Sequence, residues 1–190
     1  MQVEPTDVPG LLRITPRVFR DERGFFLESY NAEAFAEAGV DARFVQDNHA
    51  KSAPAGVLRG FHFQAPPNDQ AKLVWVVRGA VFDTVVDLRE GSPTFGQWRG
   101  FVLSEENFLR LFIPRGFAHG YLTLRPDTEF MYKVDATYAP KSEGGLRWND
   151  PDLAVDWPLS ELPDDGPILS EKDEGLPLWR EFETPFGFAG

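Results

Sequence analysis

From residue 43 onward, apolar and polar positions alternate in short runs, and a glycine or proline stands in nearly every gap. Runs at 44–48, 57–64, 73–77, 80–88, 97–103, 110–113, 120–124 and 129–135 carry the period-two pattern, or the β-branched and aromatic content, of strands. Arg78-Gly79, between two of them, reads as a tight hairpin. Upstream, residues 11–14, 17–19 and 25–30 read as further short strands around the turn Asp21-Glu-Arg-Gly24. Residues 31–39 read as a helix, with Asn31 able to cap it, Ala, Glu and Phe filling it, and Gly39 able to end it. About ten short strands at this spacing predict a sandwich or jelly-roll barrel. A parallel α/β sheet would need helices between its strands, and the pattern has none.

After Tyr138 the pattern loosens, and Pro140, Pro151, Pro158, Pro163 and Pro167 are expected to break any long element. Trp148, Leu153, Val155, Trp157, Leu159, Ile168, Leu169 and Trp179 are spread through this tail and are expected to cover the barrel. The expected fold is therefore all-β: a cupin-type jelly-roll barrel with one short N-terminal helix and an irregular C-terminal tail packed on it. No linker or internal repeat divides the chain, so residues 1–190 are expected to form a single domain.

Composition adds limits. Seventeen Phe and five Trp are many for 190 residues, and aromatics favour strands and flat stacking surfaces. There is no cysteine, which excludes disulfides and thiolate metal sites. A net charge of −11 argues against broad nucleic-acid binding, which needs a basic face. One anionic small molecule can still be held if a few cations are placed locally. No apolar run approaches the roughly 20 residues that span a bilayer, and the Met-Gln-Val-Glu start has neither a basic n-region nor an apolar h-region. The expectation is a soluble cytoplasmic protein without a membrane partner.

Candidate chemistry gathers in Gly56-Val-Leu-Arg-Gly-Phe-His62, followed by Gln64 and Lys72. A histidine near its neutral-pH titration can take and return a proton. Arg59 and Lys72 can hold a negative charge carried by a ligand or formed during a reaction. Strict alternation would put Arg59 and His62 on opposite faces of their strand, and a bulge at Gly60 would re-aim one of them. His119, in Pro114-Arg-Gly-Phe-Ala-His119, is a second inward candidate. His49 is expected at the surface. Tyr132 shares an alternating, buried face with Phe130 and Val134. By composition alone, Ser170-Glu-Lys-Asp-Glu174 is a solvated loop.

The two histidine stretches, Gly56-x5-His62 and Pro114-x-Gly116-x2-His119, resemble the paired motifs of cupins. Metal-binding cupins continue the first as His-x-His and then a glutamate, whereas this chain has Gln64 and then Lys72. A lysine puts positive charge where a cation would bind. A metal-dependent cupin oxygenase or isomerase is thus the less favoured reading, and the expectation is no metal and no cofactor.

The fuller set is more specific. Asp21-Glu-Arg-Gly-Phe-Phe26, Gln46-Asp-Asn48, Gln70-Ala-Lys72, Arg78-Gly-Ala-Val-Phe-Asp83, Ser92-Pro-Thr-Phe-Gly96, Ile113-Pro-Arg-Gly-Phe-Ala-His-Gly120 and Leu169-Ser-Glu-Lys-Asp173 join the His62 stretch. Together they resemble the dTDP-4-dehydrorhamnose 3,5-epimerase family over about residues 8–177. The resemblance implies a jelly-roll homodimer without a cofactor, acting on a dTDP-linked 4-keto-6-deoxy sugar. It implies His62 as base, Asp173 as the group that orients it, Lys72 on the enolate oxygen and Tyr132 as acid. Arg23, Arg59 and Lys172 would meet the diphosphate or other polar groups. Glu28, Gln46, Asn48, His119 and Glu143 would hold nucleotide and sugar, and Tyr138 would stack on thymine. Relatives on this scaffold invert C3 alone or C5 alone, or shift the ketone, and those outcomes stay open, as does a nucleotide-sugar-binding protein without catalysis.

Overall fold

The computed structural model describes residues 1–40, 42–162 and 166–189. Among the described residues, which do not include Pro163, fifteen strands and two short α-helices run in chain order. The first part holds β1 (Gln2–Pro5), β2 (Leu12–Thr15), β3 (Val18–Asp21), β4 (Gly24–Leu27), α1 (Ala32–Glu37) and β5 (Gln46–Ser52). The middle holds β6 (Leu58–Gln64), β7 (Lys72–Arg78), β8 (Ala80–Asp87), β9 (Arg89–Glu90) and β10 (Trp98–Ser104). The rest are β11 (Arg110–Ile113), β12 (Phe117–Thr123), β13 (Thr128–Val134), β14 (Glu143–Gly145), α2 (Glu171–Glu174) and β15 (Phe186–Gly187).

Two antiparallel sheets carry the fold. One has the order β1-β2-β11-β7-β13-β5, the other β10-β8-β12-β6-β14. They face one another as a cupin-like jelly-roll sandwich. The expected barrel is corrected in one respect: among the described residues no ladder joins the two sheets, so they do not close. The hairpin expected at Arg78-Gly79 is also corrected. β7 lies between β11 and β13, whereas β8 lies between β10 and β12, so the chain changes sheets at Gly79. Gly79 takes φ +79°, and a Cβ there would meet Thr128 Oγ1 at 2.4 Å. The glycine makes a corner, not a hairpin.

The apolar residues sort into three layers, because both sheets are covered on their outer faces. Between the sheets lie Val74, Val76, Val81, Val85, Leu103, Leu111, Ile113 and Phe130. Alternation along β7 sends Leu73 and Trp75 the other way, where they pack with Phe35 of α1, Ile14 and Phe112. The third layer is the C-terminal tail against the second sheet. Leu153 and Trp157 are buried with Phe61, Phe63, Val86 and Leu122, and Trp148, Val155, Leu169 and Trp179 pack on them. The ring of Trp157 lies 5.5 Å from that of Phe61 and 5.9 Å from that of Phe82. Two tail residues depart from expectation: Leu159 and Ile168 are exposed. Ile168 is held by its backbone instead. Its N–H donates to Gly56 O at 2.7 Å, and its carbonyl accepts from Leu58 N–H at 2.9 Å. That bridge lays the tail along β6 and delivers α2 beside it.

β3 and β4 stand apart as a two-stranded ribbon. Phe25 and Phe26 are 58% and 70% exposed there. Among the described residues, no helix is long and apolar enough to cross a membrane.

Candidate active site

Strand β6 makes the site possible by breaking its own alternation. Leu58 packs outward with the tail layer, and so do Phe61 and Phe63. Period two cannot put 58, 61 and 63 on one face. The ladder to β12 slips between Tyr121↔Arg59 and His119↔His62, and this bulge absorbs one residue. Arg59 and His62 consequently both line the cavity between the sheets. Gly60 sits in the bulge at φ +116°, and a Cβ there would come within 2.7 Å of both Gly120 Cα and His119 O. Only glycine fits that close approach.

The cavity measures about 340 Å³. His62 and Tyr121 enter from the second sheet, and Lys72 and Tyr132 from the first. The imidazole and phenol of His62 and Tyr132 thus come from opposite walls. His62 Nε2 is 2.6 Å from Asp173 Oδ1, which leaves Nδ1 as the ring nitrogen for the cavity. Asp173 is not in a solvated loop, as composition suggested: it is 4% exposed and lies in α2. Ser170 caps that helix, accepting from Asp173 N–H at 3.2 Å and donating its hydroxyl to Asp173 Oδ2 at 2.7 Å. Burial alone would raise the Asp173 pKa. The hydrogen bonds from His62 and Ser170 outweigh it and hold the carboxyl below its ordinary value. Asp173 is therefore an anion wherever His62 needs a partner.

Desolvation pushes the Lys72 ammonium down to about 8, against the pull of the Asp83 and Glu143 carboxylates. Burial raises the Tyr132 phenol, with Arg59 opposing, so it holds its proton at neutral pH. His119 is buried, with Nε2 2.9 Å from Asp83 Oδ2. Burial lowers its pKa despite that carboxylate, which favours the neutral ring.

At the rim, the Tyr138 hydroxyl donates to Glu143 Oε2 at 3.0 Å, and Lys172 Nζ donates to Glu143 Oε1. Gln46 and Asn48 bond to one another at 2.9 Å, and Gln46 Oε1 accepts from Tyr138 N–H at 3.2 Å. They border the cavity without lining it. Arg23 and Glu28 are not brought to the cavity of this chain. Both are exposed, Arg23 paired with Asp21 on the ribbon and Glu28 with Asn31. His49 is at the surface, paired with Glu129 at 3.0 Å.

Gln64 stands where metal-binding cupins continue the motif with a second histidine. Its amide donates to Asn68 O at 2.7 Å and accepts from Ala139 N–H at 2.6 Å, so both ends are committed to loop backbone. Among the described residues, no three His, Cys, Asp or Glu side chains converge as a metal needs. Sequence reasoning missed Tyr121, whose ring stacks on Phe130 at 4.2 Å in the cavity wall. It also missed Asp83. The motif stretches containing both were in view, but nothing in a strand pattern tells a buried tyrosine from one that opens on a cavity.

A jelly-roll frame with an imidazole, a phenol and a lysine converging on one cavity between its sheets fits a cupin-type isomerase. Comparisons with known proteins agree. Residues 5–181 match the family model described as dTDP-4-dehydrorhamnose 3,5-epimerase. An enzyme of that name from Salmonella typhimurium is 52% identical over 179 residues, covering 94% of this chain and 95% of that one. One from Pseudomonas aeruginosa is 54% identical, covering 87% and 89%. The crystal structure of the dTDP-6-deoxy-D-glucose-3,5-epimerase of Legionella pneumophila, in complex with dTDP-4-keto-L-rhamnose, superposes with a TM-score of 0.92. It is 44% identical and covers 99% of each chain. The chain belongs to the dTDP-4-dehydrorhamnose 3,5-epimerase family.

Proposed function

We propose that the protein inverts C3 and C5 of a dTDP-4-keto-6-deoxyhexose, with His62 as base and Tyr132 as acid. The observation that carries this reading is the placement of the Asp173-paired imidazole opposite a protonated phenol, with Lys72 entering between the same two walls. A ketone at C4 acidifies the hydrogens on both neighbouring carbons. His62 takes one of them as a proton, and the electron pair passes to O4 as an enolate. The Lys72 ammonium stabilises that oxygen. Tyr132 returns a proton on the other face, and the carbon is inverted. Asp173 stabilises the imidazolium formed on the way. No step requires a cofactor.

Arg59 and Lys172 suit the diphosphate, Tyr138 suits the base as a stacking surface, and His119, Glu143, Gln46 and Asn48 suit the remaining polar groups. Arg23 and Glu28 fit the reading as contributions to a partner's cavity in a homodimer. Their distance from this chain's own cavity and the exposed phenylalanines of their ribbon support that arrangement. We further propose that the chain is one domain acting in the cytoplasm, since a diphosphate-bearing substrate does not cross a bilayer unaided.

Deuterium wash-in tests the reaction. The protein in D₂O, given dTDP-4-keto-6-deoxyglucose, is expected to label and invert both C3 and C5 by proton NMR. Label and inversion at C3 alone would make it a single-carbon enzyme. No label at either carbon, with dTDP still bound, would replace catalysis by binding.

A further inference from the structure

Asp83 is a fully buried charge that the mechanism above does not use. It lies on β8 with 0% exposure. Its Oδ2 is bonded to His119, but Oδ1 has no hydrogen-bond partner and no solvent. A buried carboxylate oxygen left unpaired is costly unless a positive charge lies near it. Asp83 pairs across the ladder with Tyr121. Tyr121 and His119, the hydrogen-bond partner of Asp83, line the same cavity as Lys72, on the opposite sheet, whose charged form the Asp83 carboxylate favours.

Of the other charged groups facing Lys72, only Glu143 also favours its charged form, and more weakly than Asp83. Glu143, on β14, is already committed to Lys172 and Tyr138. Asp173, on α2, is committed to His62 and Ser170. Arg59 and His62 on β6 bring no negative charge. His119 and Tyr121 on β12 and Tyr132 on β13 are neutral at neutral pH, the imidazole and the phenols alike through burial. That leaves Asp83 Oδ1 as the buried carboxylate oxygen without a partner, on the sheet opposite Lys72.

We propose that Asp83, fixed by His119, is the positioning residue that keeps Lys72 charged and aimed at the ligand's carbonyl oxygen. The role deepens the epimerase reading and rests on it for the identity of that oxygen. It does not rest on it for the charge of Lys72. His119 then has a second task beyond any ligand contact, since it pins the carboxylate that sets the lysine.

The test reads Lys72 directly. Acetic anhydride modifies only the neutral amine, so acetylation of Lys72, followed by mass spectrometry across a pH series, gives its titration midpoint without any sugar. In the unmodified chain the midpoint is expected at about 8. In Asp83→Asn it should fall by about 1 to 3 units, the size of losing one close opposite charge. Asp83→Glu, which keeps the charge, should hold the midpoint near that of the parent while lowering kcat through a misplaced ammonium. The alkaline limb of kcat/KM should move with the acetylation midpoint in Asp83→Asn. If Asp83→Asn does not fold, Asp83→Thr removes the same charge in a similar volume. An unchanged midpoint in a folded neutral variant overturns the proposal. If the parent exchanges no substrate protons, the proposed function fails, and the acetylation arm still decides the role of Asp83.

Discussion

A single glycine decides whether this chain has an active site. Arg59 and His62 share the cavity because Gly60 lets β6 slip by one residue against β12. Gly60→Ala would drive a methyl into Gly120 and His119, and relief requires the bulge to move. The expected result is a loss of about 1–3 kcal/mol of stability together with activity reduced far beyond what unfolding explains. Thermal melting and kcat on the same sample check it; wild-type kcat in a destabilised variant would sever the bulge from the chemistry. At Tyr132 the change to Phe keeps the ring and removes the proton. It should slow inversion by about 10²–10⁴-fold while leaving wash-in from the His62 side measurable. Tyr121→Phe offers the contrast: its hydroxyl faces the same space, its ring stack on Phe130 survives, and a smaller loss is expected, read as kcat against KM.

The elements were legible where the pattern is local and hidden where it is not. β11 stands where the pattern put it, and β7 and β8 agree to within a residue at either end, because buried strands announce themselves by content. Partnership is different. The Gly79 corner and a hairpin turn ask for the same residue type, so the sequence could not say that β7 and β8 belong to different sheets. The strand alternation foretold the conflict between Arg59 and His62, and the bulge resolved it. α2 escaped because four residues are too few to show a helical period. Its burial comes from tertiary contact with β6, not from composition. Ser170→Ala tests that element: the cap should cost about 1 kcal/mol, and Asp173 should lose both its hydroxyl donor and its aim. Activity should then fall toward that of Asp173→Asn, and a variant that kept full activity would show that α2 holds its position without the cap.

For the molecule as a whole, the proposed homodimer ties the exposed ribbon to the rim of the cavity. Phe26→Glu places a charge on the most exposed phenylalanine of β4. If the ribbon is the dimer contact, light scattering should show a monomer that has lost affinity for dTDP, because Arg23 and Glu28 no longer reach a neighbour. A dimer with intact affinity would move the contact elsewhere. The candidate site was readable in the residues that line its cavity, His62, Lys72 and Tyr132, and unreadable in its depth, because burial of Asp83 and Asp173 is a property of the packed sandwich. One consequence follows from the distance along the chain between the imidazole and the carboxylate that aims it, 111 positions. During synthesis His62 emerges early and the tail that carries Asp173 emerges late. A nascent or clipped chain ending before Ser170 carries His62 without the Asp173 carboxylate, so the proposed base is complete only after the tail has docked.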